Sequence, residues 1–387
     1  MSINNFIKVF FLLVILSIEI GQSLNLVKRN GHSSVLVDNK LFFFGGQELF
    51  YNQNSPIMLD QILFLDVSKP FNTGNPPFEE IPNAIPFKSS LATAFLSPQR
   101  SIIYLFGGYM RDVNTDLNIF KPVLHSFNLE TNEWSVPTTN GTAPSRRAEI
   151  NGVINNETGK FYVFGGLDVN GQNFVIFNDM NIFDTNTLTW SKGSTIYAPL
   201  SRSDYTATLL SSGIIVFIGG LEKTNALNDV DINQTAQGAI LENRNAHSAV
   251  LTPDEKIIIF GGCKVSALDN VPKLQYYTAT LIENYMFINF GMRYETTDEL
   301  QIPYFFILDI RNFTWVTRFE PEQLNTTTNN IVNINNTSPA APANPSNSTV
   351  VDNSKIIYII LGTAGLSIGV GTIVGFLGYK FYTKQKK

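Results

Sequence analysis

The sequence predicts an all-β chain of repeated sheets, and three observations predict it. Phe is unusually frequent at 30 residues and Gly at 27, whereas charged residues make up only 15% of the 387. That balance suits many short buried strands joined by glycine turns, and a soluble domain usually carries about a quarter charged residues. A very hydrophobic strand ending in paired glycine recurs along the chain. All three tryptophans stand at one place in that recurring unit.

The glycine phrase appears as Leu41-Phe42-Phe43-Phe44-Gly45-Gly46, Ile103-Tyr104-Leu105-Phe106-Gly107-Gly108 and Tyr162-Val163-Phe164-Gly165-Gly166. It returns as Val216-Phe217-Ile218-Gly219-Gly220 and Ile258-Ile259-Phe260-Gly261-Gly262, then in a weakened sixth copy, Phe287-Ile288-Asn289-Phe290-Gly291. With Gly291 taken as the first glycine of that copy, the steps are 62, 58, 54, 42 and 30 residues. Self-similarity on this scale predicts a solenoid or a propeller. Trp134, Trp190 and Trp315 each follow an Asn or Asp by six residues, at Asn128, Asp184 and Asp309. Asn and Asp suit the turn after a strand, and the indole can fill the space between neighbouring sheets. Upstream of the glycines, His32, Tyr205, His247 and Tyr277 open equivalent inner strands.

These three elements, in this order and spacing, resemble the kelch repeat over roughly residues 30–319. The resemblance implies a β-propeller of about six blades, of the fold found in the central domain of galactose oxidase. The first and fourth copies lack the Trp. Only 14 residues separate Gly262 from Tyr277, so the fifth blade is expected to lack its outer two strands.

Both ends read as membrane traffic. Lys8, the apolar run Val9–Ile18 and the small residues Gly21 and Ser23 predict a signal peptide over 1–23, with an uncleaved anchor as the alternative. The uncharged run Ile356–Tyr379 is long enough, at about 36 Å as a helix, to cross a hydrocarbon core of about 30 Å. Lys380, Lys384, Lys386 and Lys387 follow it and mark the cytoplasmic side. The expected organisation is an ectodomain over 24–320, a disordered glycosylated stalk over 321–354, a transmembrane helix over 355–379 and a basic tail over 380–387. The whole is similar to membrane-anchored fungal-type kelch proteins. Gly365, Gly369, Gly371 and Gly375 have the spacing that lets two membrane helices approach in a homodimer; alternatively, they reflect only the frequency of glycine in membrane helices. Glycosylation sequons stand at Asn140, Asn156, Asn233, Asn312, Asn325, Asn335, Asn336 and Asn347.

The chemistry on offer is that of a binding module. A formal charge of −5 gives no basic footprint for nucleic acid. One cysteine, Cys263, allows no disulfide framework, and three histidines leave little for a metal centre. Galactose oxidase-like enzymes use copper, two histidines and a Cys-linked tyrosine. No such ligand pattern stands out here, and no cofactor or metal is expected. Nucleophile-elbow, His-Glu-x-x-His and phosphate-loop motifs are absent. Arg29, Arg202 and Arg244 each stand three residues before an inner strand, and Arg147 lies near the equivalent place. By the kelch resemblance they face the central depression and form an arginine ring for anions; alternatively each pairs within its own blade. The expected function is non-catalytic recognition of an extracellular protein or glycan at the cell surface. An ectoenzyme acting on carbohydrate, or a non-functional paralogue, is the alternative.

Overall fold

The computed structural model describes residues 26–48, 56–82, 85–170, 175–196, 198–222, 225–226, 244–262, 274–293, 305–322 and 358–361. They form antiparallel sheets arranged radially, and the described residues contain no helix. This is the expected all-β architecture, and its four-stranded sheets are consistent with kelch propeller blades. Blade 1 runs Ser33–Val37, Lys40–Phe44, Ile62–Asp66 and Phe78–Ile81 from the axis outwards. Blade 2 is Phe87–Leu96, Ile102–Asp112, Leu124–Asn128 and Glu133–Ser135. Blade 3 is Val153–Asn155, Lys160–Phe164, Met180–Asp184 and Thr189–Lys192, with Asn140–Gly141 added in parallel outside it. Blade 6 is Thr278–Ile282, Tyr285–Asn289, Phe305–Asp309 and Thr314–Val316.

Blades 4 and 5 are thinner. Among the described residues, blade 4 is the pair Thr206–Leu209 and Ile215–Ile218, and blade 5 the pair Ser248–Leu251 and Ile257–Phe260. In blade 5 the Gly262 amide donates to the Leu274 carbonyl at 2.9 Å, and residues 263–273 between them lie outside the described residues. Tyr358–Leu361 runs parallel to Ile257–Phe260 in the place a third strand would take. These four residues belong to the segment expected to be a transmembrane helix, and they are extended. The reason is an open apolar strand edge, whose unpaired backbone groups accept an extended neighbour. The described residues contain no helix long and apolar enough to cross a membrane. The signal-peptide segment, the stalk beyond Glu322, the four membrane glycines and Cys263 lie outside the described residues.

Each junction between neighbouring blades has its own apolar cluster. The junction of blades 6 and 1 is rich in aromatics: Phe43, Phe78, Phe287, Phe290, Phe305 and Phe319 pack there. The 3–4 junction is the leanest, with Phe164, Tyr205 and Phe217 as its buried members. The tryptophans do what their spacing implies. Trp134 lies 5.9 Å from Phe44, Trp190 5.4 Å from Phe106 and Trp315 5.4 Å from Phe260. In each case a fourth strand reaches back to the residue before the glycine pair of the preceding blade, which buries aromatic surface between sheets.

The glycine pairs are backbone joints. The amides of Gly46, Gly166, Gly220, Gly262 and Gly291 donate to carbonyls of Ser89, Arg202, Arg244, Leu274 and Arg29 at the entry to the next blade. Gly291 is therefore the second member of its pair. Phe290, with φ of +55°, holds the first place, and the sixth copy begins one residue earlier than the sequence suggested. An L-residue is strained in that region. Phe290 offsets the strain by packing against His32, Phe43 and Phe78, with the Arg29 guanidinium 5.3 Å from its ring centre.

Candidate functional site

All the inner strands begin at one end of the axis. Their first turns are joined by a cycle of backbone hydrogen bonds. Leu91 donates to the Gly31 carbonyl, Glu149 to Leu91, Asp204 to Glu149, Ala246 to Asp204, Tyr276 to Ala246, and Gly31 to Tyr276. The distances run from 2.6 to 3.3 Å. All six residues have φ between 51° and 62°. The left-handed turn aims each amide sideways at the neighbouring blade, and the cycle sets six side-chain positions around one opening.

Within the cycle lies a cavity of about 210 Å³, walled by the inner strands. Its lining is small and polar, with Ser34, Thr93, Gly152, Thr206, Ser248 and Thr278 among it. Neighbouring blades are stitched together there. Ser33 Oγ donates to the Ala92 carbonyl at 2.8 Å, Ser248 Oγ to the Tyr277 carbonyl at 2.9 Å, and the Ala207 amide to Asn151 Oδ1 at 2.9 Å. His32 Nε2 shares a hydrogen bond with Thr278 Oγ1 at 2.8 Å, and His247 Nε2 with Thr206 Oγ1 at 3.0 Å. The Tyr205 and Tyr277 hydroxyls donate to the carbonyls of Phe164 and Phe260. Each of these inner-strand openers thus latches onto the blade before its own. Burial, aided by Arg29 and Arg244 respectively, lowers both imidazoles to about 3, so they stay neutral at physiological pH.

The arginines do not form the ring that the sequence suggested. Arg29, Arg147 and Arg202 are at most 2% exposed. Their Nη1 atoms donate to the carbonyls of Gly45, Gly165 and Gly219, and Arg244 Nη1 donates to Gly261. Every one caps the first glycine of its own blade. Arg147 also pairs with Asp179 at 2.6 Å. Burial alone would raise the Asp179 carboxyl, but bonds from Arg147 and Lys192 outweigh it and hold it far below the usual range. Guanidinium groups spent on carbonyls inside a blade are framework.

The charge at the opening is of the other sign. Glu149 and Asp204 occupy neighbouring places in the cycle, at the lean 3–4 junction. Ser203 Oγ donates to Glu149 Oε2 at 2.9 Å, and the Tyr276 hydroxyl to Asp204 Oδ2 at 3.1 Å. Burial raises both carboxyls, and the Glu149 charge raises Asp204 further, well above the usual carboxylate range. Tyr109 stands near: burial, then these two charges, push its hydroxyl up to about 12. The sequence reading missed this pair. The only signal was an acidic residue immediately before the inner strand in copies 3 and 4.

A pH dependence follows. The folded state holds protons on this pair at pH values where the unfolded chain, with carboxyls titrating near 4, has lost them. Stability is therefore lost as pH rises above the unfolded value, by about 1.4 kcal/mol for each pH unit over which a proton is retained. Asp204→Asn removes the cost while keeping an acceptor for Tyr276. Its melting temperature should exceed that of the parent at pH 8 and converge with it towards pH 4. Equal curves across that range would contradict the assignment.

Of the described sequons, Asn140, Asn156 and Asn312 are exposed. The other five lie outside the described residues. No group of three or more His, Cys, Asp or Glu among the described residues could hold a metal ion.

Residues 92–271 match the model of the KLHDC2/KLHL20/DRC7 Kelch-repeats domain. Over these residues the chain is similar to kelch repeats. The chain is 27% identical over 258 residues to Kelch domain-containing protein 3 of Bos taurus, across 61% of this chain and 64% of that protein. It is 30% identical over 154 residues to Kelch domain-containing protein 1 of Homo sapiens, across 36% of each. It is also 23% identical over 194 residues to Acyl-CoA-binding domain-containing protein 6 of Oryza sativa subsp. japonica, across 50% of this chain and 27% of that one. The kelch match begins inside the inner strand of blade 2, and blades 1 and 6 extend the same pattern beyond it. The chain spans about 64% of the length of Kelch domain-containing protein 3.

Proposed function

We propose that the chain is a non-catalytic protein-binding module, displayed outside the cell on a membrane-anchored, glycosylated stalk, and that its partner docks on the face carrying the hydrogen-bonded cycle. The supporting observation is where exposed apolar side chains lie. In an antiparallel blade the second strand ends, and the third begins, at the face where the first begins. Ile57, Leu117, Phe120 and Val175 lie on such connections, Tyr109 near the end of the second strand of blade 2, and Leu200 on the entry to blade 4. Leu117 is 68% exposed. Among the described large exposed apolar residues, Ile214 and Phe313 lie at turns of the opposite face, and Val136, Ile196 and Trp315 lie on or just after outermost strands. Apolar side chains gathered on one face of a scaffold mark an interaction surface. The uncharged run Gly362–Tyr379 beyond the strand Tyr358–Leu361, followed at once by lysine, supports the membrane tether, and its four spaced glycines support pairing of two copies.

Leu117→Asp with Phe120→Asp should leave the melting temperature unchanged, because both side chains are in solvent, and should abolish partner capture in proximity labelling on cells. Capture that persists in the double variant would exclude this face.

A further inference from the structure

The chain joins blade 5 just before its uncharged run, and the direction of that strand sets which face of the head looks at the membrane. Tyr358–Leu361 pairs in parallel with Ile257–Phe260, Tyr358 opposite Ile257 and Leu361 opposite Phe260. Third strands of the four-stranded blades run the other way: Ile62–Asp66 is antiparallel to Lys40–Phe44, and Phe305–Asp309 to Tyr285–Asn289. An antiparallel strand in this place would carry the chain to the far face. The parallel one brings it out beside Phe260, at the end of the second strand, which is the face bearing the cycle. Gly362 follows at once and opens the uncharged run Gly362–Tyr379, about 27 Å as a helix against a hydrocarbon core of about 30 Å. We propose that the cycle face is turned towards the membrane that carries the chain, and that its partner is a polypeptide held at the surface of that same membrane. This rests on the anchor and the docking face proposed above, and it moves the glycosylated segment from beneath the head to its far side.

The two ends of that segment lie where this requires. The Glu322 amide donates to Glu283 Oε2 at 2.8 Å, and Asn284 Nδ2 to Glu322 Oε1 at 2.6 Å. Glu283 and Asn284 form the turn between Thr278–Ile282 and Tyr285–Asn289, on the face away from the cycle. Tyr358, level with Ile257, stands at the same far face in the neighbouring blade. Residues 323–357 therefore leave and rejoin the head at its far face, with the sequons Asn325, Asn335, Asn336 and Asn347 between. The exposed sequons Asn156 and Asn312 sit at turns of that far face as well. Carbohydrate at these six positions keeps clear of the cycle. Charge favours a polypeptide over lipid as the occupant. Asp112 and Asp116 share a connection with Leu117, and Glu149 and Asp204 lie at the centre of the face; carboxylates are costly in hydrocarbon. Lys88 and Arg111, the basic groups beside Leu117, are paired with Asp116 at 2.9 and 3.1 Å.

The test uses the full chain on cells, with a donor dye clicked onto a noncanonical residue at Leu117 or at Ile214, and a lipophilic acceptor dye in the outer leaflet. A five-residue strand such as Lys40–Phe44 spans about 17 Å, so the two positions differ in height by about that much. Energy transfer should be stronger from Leu117 than from Ile214. A Gly-Ser linker of about 20 residues inserted between Leu361 and Gly362 adds a coil of about 25 Å and leaves the strand in place, and it should erase the difference. Equal transfer from both positions, stronger transfer from Ile214, or a difference that survives the linker overturns the orientation. The partner is read by photo-crosslinking from Leu117 in a mixed culture, where a second population without the chain carries isotope-labelled proteins. Protein adducts should be confined to proteins of the population bearing the chain. Adducts on isotope-labelled proteins overturn the same-membrane partner and keep the docking face. Lipid adducts alone overturn both the partner and the docking face, whatever the energy transfer gives for the orientation.

Discussion

Gly165→Val should yield no folded protein. Gly165 has φ of +62°, and a Cβ there would sit 2.4 Å from the Arg202 carbonyl oxygen and 3.1 Å from that of Phe177. The left-handed conformation costs an L-residue about 1–2 kcal/mol, and more for a β-branched one. The clash adds to this, because its partner is backbone. The Gly166 amide donates to that same Arg202 carbonyl at 2.9 Å, so moving either side breaks the joint between blades 3 and 4. Together these exceed about 4 kcal/mol, a large part of the 5–15 kcal/mol by which a domain is stable. Gly74→Val is the control, since a Cβ there meets nothing within 4 Å. Secretion of soluble protein that melts cooperatively reads both. A folded Gly165→Val protein would mean that the glycine pairs are not joints.

Arg202→Ala should destabilise the fold by roughly 2–4 kcal/mol. The side chain is fully buried, and its loss leaves the buried Gly219 carbonyl without the guanidinium donor and opens a void at the start of blade 4. Chemical denaturation of the parent and the variant gives the difference directly. An arginine held out for a ligand would predict the opposite, an unchanged midpoint with lost binding.

Much of this architecture was legible in the sequence, because the residues that make the joints are extreme types. Paired glycines appear where a side chain would strike the next blade. Tryptophan appears where a fourth strand must reach back across a junction. The shortness of the fifth blade was legible as a residue count, and residues 263–273, on which that count rests, lie outside the described residues. The sixth copy was misread by one residue, because Phe290 stands in a glycine conformation and aromatic packing sustains it.

The site was less legible. An arginine three residues before a strand has a fixed place but no fixed direction, and here each turns inward to its own glycine carbonyl. The cycle around the axis has no motif at all. Its six places hold Gly31, Leu91, Glu149, Asp204, Ala246 and Tyr276, because only backbone geometry is common to them. Glu149 and Asp204 are 55 positions apart, and adjacency of blades 3 and 4 is what makes them a pair. The chemistry at a propeller axis comes from the ring, and a linear reading sees it only after the copies are aligned on their glycines.

The central claim is that a partner binds the face bearing the cycle. It is tested most directly by photo-crosslinking from single positions in the full chain on cells, with a benzophenone residue at Leu117 or Phe120 on that face, and at Ile214 or Phe313 on the other. Discrete protein adducts from the first two positions, and none from the second two, are the expected result. Adducts confined to Ile214 and Phe313, or absent from all four, would contradict it.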